Sequence, residues 1–209
     1  MSKIRKLHST SRYPTTLLIR GADPLGIEIA KSLLEQGGYV IIIDYEGEQS
    51  RENLEELKDY KMLTLLDFSA IDSIEEDLRR LDYVFYLQHK ATDFEEKIAS
   101  QEFLQFSNYL DTVLDLTAKF EAKFLLTTAV KAHQMIVSRK QLDLNYFTGN
   151  EETHTIYTEF ETQRYAESLV KEYQEKVGID ARVIRLGELI GKGIEANPNS
   201  NLIKIIFSN

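Results

Sequence analysis

Short and nearly continuous apolar runs recur along the chain, separated by longer stretches in which apolar and charged residues mix. A strand with one face in water alternates apolar and polar residues, whereas a strand covered by helices on both faces is apolar throughout. The runs therefore predict the strands of a parallel sheet. They are TTLLI (15–19), YVIII (39–43), MLTLL (62–66), YVFYL (83–87), KFLLTT (123–128) and ARVIRL (181–186).

Amphipathic stretches lie between these runs and predict helices, so the fold class is α/β, a doubly wound parallel sheet with helices on both faces. Gly37 and Gly38 follow the first helix and Gly178 the last, as glycine commonly does at helix ends. Residues 129–156 break the alternation and predict a long functional or mobile loop. The helical stretches are PLGIEIAKSLLEQ (24–36), RENLEELKDY (51–60), SIEEDLRRL (73–81), QEFLQFSNYLDTVLDLTAKF (101–120) and TEFETQRYAESLVKEYQEKV (158–177).

Composition narrows the classes of protein that fit this pattern. A formal net charge of -9 without a stripe of Lys and Arg argues against nucleic-acid binding. Zero cysteines exclude disulfides and thiolate sites, and no metal-ligand spacing is present. No run approaches the roughly 20 apolar residues of a membrane span. We expect a cytoplasmic protein that binds no membrane and no metal, with residues 1–13 as a basic lead-in.

The segment LLIRGADPLGIEIAKSLLEQGGYVIIIDY, residues 17–45, has the order strand, turn, helix, strand and acid that holds a dinucleotide. In such a turn the third glycine lets helix and strand pack closely, and Gly26 occupies that place. An acid roughly 20 residues further on binds the ribose hydroxyls, and Asp44 occupies that place. The segment thus predicts the outline of a cofactor site.

The turn RGADPLGIEIA resembles the GGAGFIGSHL turn of the extended short-chain dehydrogenase/reductase superfamily, in its NAD-dependent epimerase/dehydratase family. Similarity continues in LLDFSA, which carries an acid after the third strand, and in SNYLDTVLDLTA, which resembles a family helix. The resemblance covers about residues 15–195 and implies a Rossmann-like domain, which we place at 14–195, with NAD as cofactor. The cofactor-binding residues that it implies are Gly21, Gly26, Asp44 and Asp67.

Two of the three motif glycines are replaced, by Arg20 and Asp23. The Asp23 carboxylate either faces the anionic pyrophosphate or caps the helix that starts at Pro24, and we favour the cap. In YVFYLQHKA the side chains of Tyr86, Gln88 and His89 are larger than those usual in the family and would crowd the cofactor. We therefore expect NAD binding to be weak or lost, and we interpret His89 as a solvated or hydrogen-bonded residue.

The resemblance also locates the family's catalytic tyrosine, the lysine four residues later and a serine or threonine after the fifth strand. These positions hold Glu159, Gln163 and Ala129, so all three groups are replaced. Tyrosine has an unperturbed pKa near 10 and needs a neighbouring cation to act as a base at neutral pH. Only Tyr86 has a lysine four residues later, and a strand end does not bring the two groups together.

Three residues offer relocated chemistry if the chain is active. Thr128 replaces Ala129 if the strand slips by one residue, and Tyr157 reaches a substrate with another activator. Glu159 is either a base or an acid at the start of its helix, where TEFE makes a plausible cap, and we favour the cap.

We interpret the chain as a catalytically degenerate epimerase/dehydratase-like domain, a pseudoenzyme that acts as a binding, sensing or scaffolding module. The alternative is an active NAD-dependent nucleotide-sugar epimerase/dehydratase with relocated catalytic groups. Family members carry a substrate subdomain of roughly a hundred residues after the Rossmann domain. We expect residues 196–209 to be the start of such a subdomain, truncated or missing here.

Two long helices form a four-helix interface between subunits in the family. We expect a homodimer through the equivalent segments 101–119 and 159–177, or a protein partner. An apolar stripe on a helix is equally typical of a face buried in its own core. The apolar positions in question are Phe103, Leu104, Phe106, Leu110, Leu114, Tyr165, Leu169 and Tyr173.

Overall fold

A computed structural model of the chain describes residues 13–44, 52–88, 100–130, 151–187 and 189, with the backbone alone for 100–108 and 151–159. Its strands are β1 (Thr15–Ile19), β2 (Tyr39–Ile43), β3 (Leu63–Leu66), β4 (Tyr83–Leu87), β5 (Lys123–Ala129) and β6 (Asp180–Leu186). Its helices are α1 (Pro24–Glu35), α2 (Ile71–Asp77), α3 (Ser100–Lys119) and α4 (Glu151–Lys176). Short 3-10 turns span Glu55–Leu57 and Phe68–Ala70.

All six strands form one parallel sheet in the order β3-β2-β1-β4-β5-β6. This is the order of the Rossmann fold, and the predicted doubly wound α/β class is confirmed. The chain reverses its direction of travel across the sheet between β1 and β4. Ligands of such sheets bind at this switch point, outside the carboxyl ends of the strands.

Both faces of the central strands are buried, which explains why the strand sequences are apolar throughout. Leu17 and Ile19 point into a large core cluster that includes residues of α3 and α4. Leu18 points into a smaller cluster on the opposite face, together with residues of α1. Successive side chains of a strand alternate between faces, so helices on both sides are needed to cover them.

The apolar runs predicted the strands closely, with β1, β2 and β4 at the predicted bounds and the others within one residue. Two predicted helices were wrong in extent. In the stretch 51–60, the described residues 52–60 contain only a single turn of helix before Glu55–Leu57. Helix α2 spans Ile71–Asp77 instead of 73–81. Leu78 leaves α2 in an extended conformation because the chain has to return to the sheet, where Leu78 and Leu81 are buried.

The start of α4 corrects two further predictions. The helix begins at Glu151, so the predicted loop over 129–156 does not extend to residue 156. Glu159 consequently lies in the helix interior, and the interpretation of TEFE as a cap was wrong. Acids at Glu151 and Glu152 suit the positive end of the helix dipole, which favours a start at this point.

Glycines end the first and last helices, as predicted. Gly37 and Gly178 both have φ of 85°, a left-handed conformation that only glycine adopts without strain. The Gly38 N–H donates to the carbonyl of Leu33 and the Gly178 N–H to that of Tyr173, each at 2.9 Å. These bonds hold the chain against the last turn of each helix.

The residues behind the predicted subunit interface divide between core and surface. Leu110 and Leu114 are fully buried in the large core cluster, and Leu169 and Tyr173 pack against it. Tyr165 is 52% exposed. The core interpretation therefore holds for Leu110 and Leu114, and the homodimer stays a prediction. The remaining positions, Phe103, Leu104 and Phe106, lie outside the described side chains.

Within the described part of the chain, no helix combines the length and apolar character that crossing a bilayer requires. The same residues contain no group of three or more His, Asp or Glu side chains placed to hold a metal ion.

Candidate functional site

The strand register brings the predicted cofactor residues to one edge of the sheet. Ile19 pairs with Ile43, and Ile43 pairs with Leu66. The turn after β1, Asp44 after β2 and Asp67 after β3 therefore meet at the carboxyl edge. Gln88 follows β4 at the same edge, next to the end of β5.

Arg20 opens the turn in a conformation normally reserved for glycine, with φ of 59°. Its N–H donates to the carbonyl of Ile43 at 2.8 Å, which ties the turn to β2. A non-glycine residue pays about 1–2 kcal/mol for a left-handed backbone. The chain thus keeps the geometry of the first motif glycine after losing the glycine itself.

Gly26 allows α1 to lie directly on the turn. A Cβ at Gly26 would sit 2.5 Å from the carbonyl oxygen of Gly21 and 2.6 Å from its Cα. A Cβ at Gly21 would come within 2.9 Å of the Leu18 Cβ. Gly26 therefore has the packing role of the third motif glycine, while cofactor binding by Gly21 and Gly26 stays a prediction.

Asp23 caps α1, so the predicted cap is confirmed. One carboxylate oxygen accepts the Gly26 N–H at 2.6 Å, and Pro24 occupies the first helical position. The carboxylate lies at the helix N-terminus, where a bound phosphate would receive the same N–H groups. It therefore competes with a pyrophosphate for that place.

Asp44 fixes the centre of the turn from the side. Its Oδ2 accepts the Ala22 N–H at 2.7 Å, while the amide of Asn53 donates to the Ala22 carbonyl at 2.8 Å. A carboxylate is an acceptor of the kind that ribose hydroxyls bond to. Sequence reasoning missed Asn53, since an amide 31 residues from its partner leaves no signal in the pattern.

Asp67 is exposed and caps the 3-10 turn that follows β3. Its carboxylate accepts the N–H of Ser69 at 2.7 Å and also the Ser69 hydroxyl. The hydroxyl bond, and after it the backbone bond, hold the pKa of Asp67 below its usual value. The group is thus anionic at neutral pH, beside the position of Asp44.

On the other side of the switch point, Gln163 and Ala129 are in direct contact. The Gln163 side chain is 0% exposed, and its Oε1 accepts the N–H of Ala129 at 2.7 Å. The family resemblance assigned these two positions to the lysine and the serine of the catalytic set. They do meet in the fold, but as a neutral amide bonded to a backbone N–H.

Thr128 also forms a hydrogen bond to α4. Its buried hydroxyl donates to Glu167 at 2.7 Å, and Glu167 also receives the guanidinium of Arg185, with Nη2 to Oε2 at 2.7 Å. Glu167 raises the pKa of Arg185 through these bonds. The network joins β5, α4 and β6. Sequence reasoning offered Thr128 as a relocated catalytic hydroxyl and did not predict its bond to Glu167.

The bulky residues at and after the end of β4 lie in different surroundings. Tyr86 is buried in the core, with its ring 6.4 Å from that of Phe124, so it belongs to the core packing. Gln88 is 4% exposed, and its N–H donates to the carbonyl of Thr127 at 3.0 Å. His89 lies outside the described residues, as do the side chains of Tyr157 and Glu159.

Comparison with known proteins supports the fold. A sequence model of the NAD dependent epimerase/dehydratase family matches residues 21–208. No curated protein sequence matches the chain at a significant level. Similar solved structures include the epimerase Mth375 from Methanothermobacter thermautotrophicus, with a TM-score of 0.61, 17% identity and coverage of 88% of this chain and 54% of that one.

Two further structures are similar. A short-chain type dehydrogenase/reductase from Mycobacterium ulcerans has a TM-score of 0.60 and 15% identity, covering 92% of this chain and 74% of its own. The yeast methylglyoxal/isovaleraldehyde reductase Gre2, solved with NADPH, has a TM-score of 0.58 and 12% identity, covering 83% and 57%. Identities this low support the fold alone. The chain spans little more than half the length of the Methanothermobacter and yeast proteins.

Proposed function

The chain belongs to the NAD dependent epimerase/dehydratase family, and from that premise we propose that it is a nucleotide-binding member without the family's tyrosine-based chemistry, acting as a binding or sensing module. The bond between Gln163 and Ala129 carries this proposal.

Proton transfer by a tyrosine requires a cation beside the phenol, because an unperturbed phenol is almost fully protonated at neutral pH. Gln163 is neutral, fully buried and bonded to the Ala129 N–H. Ala129 offers no hydroxyl to orient a substrate. Two of the three positions that hold catalytic groups in the family are thus occupied here by residues that form a structural contact between α4 and β5.

The residues that would hold the adenosine half of a dinucleotide fit that role better. The turn keeps the close approach at Gly26, and Asp44 and Asp67 place two carboxylates at the ends of β2 and β3. Carboxylates at these points are suited to ribose hydroxyls and an adenine amino group. Asp23 opposes a pyrophosphate electrostatically, so we expect NAD to bind weakly.

The experiment is an incubation of the purified chain with NAD and a panel of nucleotide sugars, followed by NADH absorbance and product chromatography. The proposal predicts no product and no NADH above a protein-free blank. Turnover that is lost in Glu159→Gln or Tyr157→Phe would support a nucleotide-sugar epimerase or dehydratase with relocated groups and would overturn the proposal. Each variant removes one ionisable group with little change in side-chain size.

A further inference from the structure

Strand β6 forms one edge of the sheet. All of its residues pair with β5 in a continuous register, and no strand among the described residues lies on its other side. Val183 and Ile184 are 36% and 45% exposed. Edge strands offer unpaired N–H and C=O groups to any strand that approaches, so proteins usually shield them with lysine, proline or a bulge. The sequence of β6, DARVIRL, contains neither lysine nor proline, and the register shows no bulge.

The alternation of the backbone identifies which groups of β6 face outward. The Val130 N–H donates to the Leu186 carbonyl at 2.9 Å, so the backbone groups of Leu186 point towards β5. Residues of a parallel strand alternate in this direction. The N–H and C=O groups of Val183 and Arg185 therefore point to the open side of the strand.

Both arginines of β6 are paired with acids of the same chain. The Arg182 guanidinium contacts the Asp180 carboxylate at 2.8 Å and donates to the Ala181 carbonyl at 2.7 Å. The Arg185 guanidinium contacts the Glu167 carboxylate of α4 at 2.7 Å. Because each positive charge has a negative partner beside it, the edge carries little net charge that would repel a second strand.

We propose that β6 pairs with β6 of a second copy of the chain, in antiparallel orientation and with Ile184 opposite Ile184 of the second copy. A twofold axis perpendicular to the sheet generates this contact, and such an isologous interface closes at two subunits. Val183 then lies opposite Arg185 of the second copy, so the open N–H and C=O groups of these residues bond to each other. The two sheets become one continuous sheet.

Side chains and charges select this register. Opposite residues of a strand pair point to the same face, so the axis has to pass at a residue and not between two. An axis at Arg182 or Arg185 would place two arginines opposite each other, which destabilises a pair. An axis at Val183 would require the Ala181 carbonyl, which already accepts bonds from two side chains. An axis at Ile184 pairs two exposed apolar side chains and uses the open groups alone.

The proposed interface is small, since each copy contributes one strand. Contacts that bury less than about 1,200 Å² belong to weak and transient complexes, so we expect a dissociation constant on the order of 10–100 μM. The surface is separate from the segments 101–119 and 159–177 of the predicted homodimer. It does not depend on the nucleotide site.

Disulfide trapping tests the register, and the chain suits this experiment because it contains no cysteine of its own. Residues opposite each other in a non-hydrogen-bonded pair have Cα atoms about 4.5 Å apart, which a disulfide can span. We expect Ile184→Cys to form a covalent dimer with oxidised glutathione at about 100 μM protein. Val183→Cys is the matched control, since its two copies would lie diagonally, about 7–8 Å apart, and could not be bridged.

Failure of Ile184→Cys to form the dimer, or equal yields from the two variants, overturns the inference. Tyr165→Cys reports on pairing through the helices, because Tyr165 lies on α4 and is 52% exposed. A covalent dimer from Tyr165→Cys alone also overturns the inference.

Sedimentation equilibrium measures the association without a cross-link. Ile184→Lys places two like charges opposite each other and should weaken dimerisation by about tenfold or more. Val177→Lys, an exposed change directly after α4, should dimerise like wild type. A wild-type chain that stays monomeric at about 1 mM overturns the inference, as does an Ile184→Lys chain that dimerises like wild type.

Discussion

Arg20 shows at the scale of one residue that a fold can keep a motif's geometry after its chemistry has changed. Its φ of 59° and its bond to Ile43 preserve the bend that a glycine would make without strain. Asp23 was predictable from its place before Pro24, since aspartate and proline begin helices in this order. The contact between Asn53 and Ala22 was not, because it depends on how distant segments meet.

Glycine at position 20 should give a more stable protein than alanine at the same position. We expect Arg20→Gly to exceed Arg20→Ala in unfolding free energy by about 1 kcal/mol, since both lose the side chain but only glycine relieves the left-handed backbone. Urea denaturation of the two variants measures the difference. Equal unfolding free energies for the two variants would contradict backbone strain at position 20.

The close approach at Gly26 makes a second prediction at this scale. Gly26→Ala should lower the unfolding free energy by about 1–3 kcal/mol, because the added Cβ would stand 2.5 Å from the carbonyl oxygen of Gly21. Gly187→Ala is the matched control, since a Cβ there meets no atom within 4 Å. If Gly26→Ala had the same melting temperature as wild type, α1 would be able to move away from the turn.

At the scale of elements, the strands were predictable and the helix bounds less so. A strand buried on both faces, such as β2 with all five residues buried, has to be apolar throughout. The start of α4 left no comparable signal, because residues 151–157 are mostly polar and show no apolar period. The contacts that fix α4 to the sheet, through Gln163 and Glu167, join residues more than thirty positions apart in sequence.

Gln163 should hold α4 against β5 through its buried amide. We expect Gln163→Leu to cost about 1–3 kcal/mol of unfolding free energy, because the Ala129 N–H would be left buried and unpaired. Gln174→Leu is the control on the same helix, since Gln174 is exposed and its acceptor, the Ala181 carbonyl, also receives Arg182. Similar losses in the two variants, measured by urea denaturation, would argue against a special role for Gln163.

At the scale of the whole molecule, the two sides of the switch point differ. The side formed by β1, β2 and β3 keeps the turn and the two carboxylates suited to an adenosine, while the β4 and β5 side carries Gln88 and the contact between Gln163 and Ala129. Fold alone does not determine chemistry. The difference between the two sides supports a protein that binds a nucleotide without catalysing a reaction on it.

The most direct measurement is a calorimetric titration of the purified chain with NAD, repeated on Asp44→Asn. Asparagine can still accept the Ala22 N–H, so the variant removes charge from the ribose site while the turn keeps its contact. The account predicts weak, saturable binding to wild type and a loss of about 10- to 100-fold in the variant. Asp59→Asn, an exposed change away from the turn, should bind like wild type. No binding to wild type, or equal binding to Asp44→Asn, would contradict the claim that the site still holds a nucleotide.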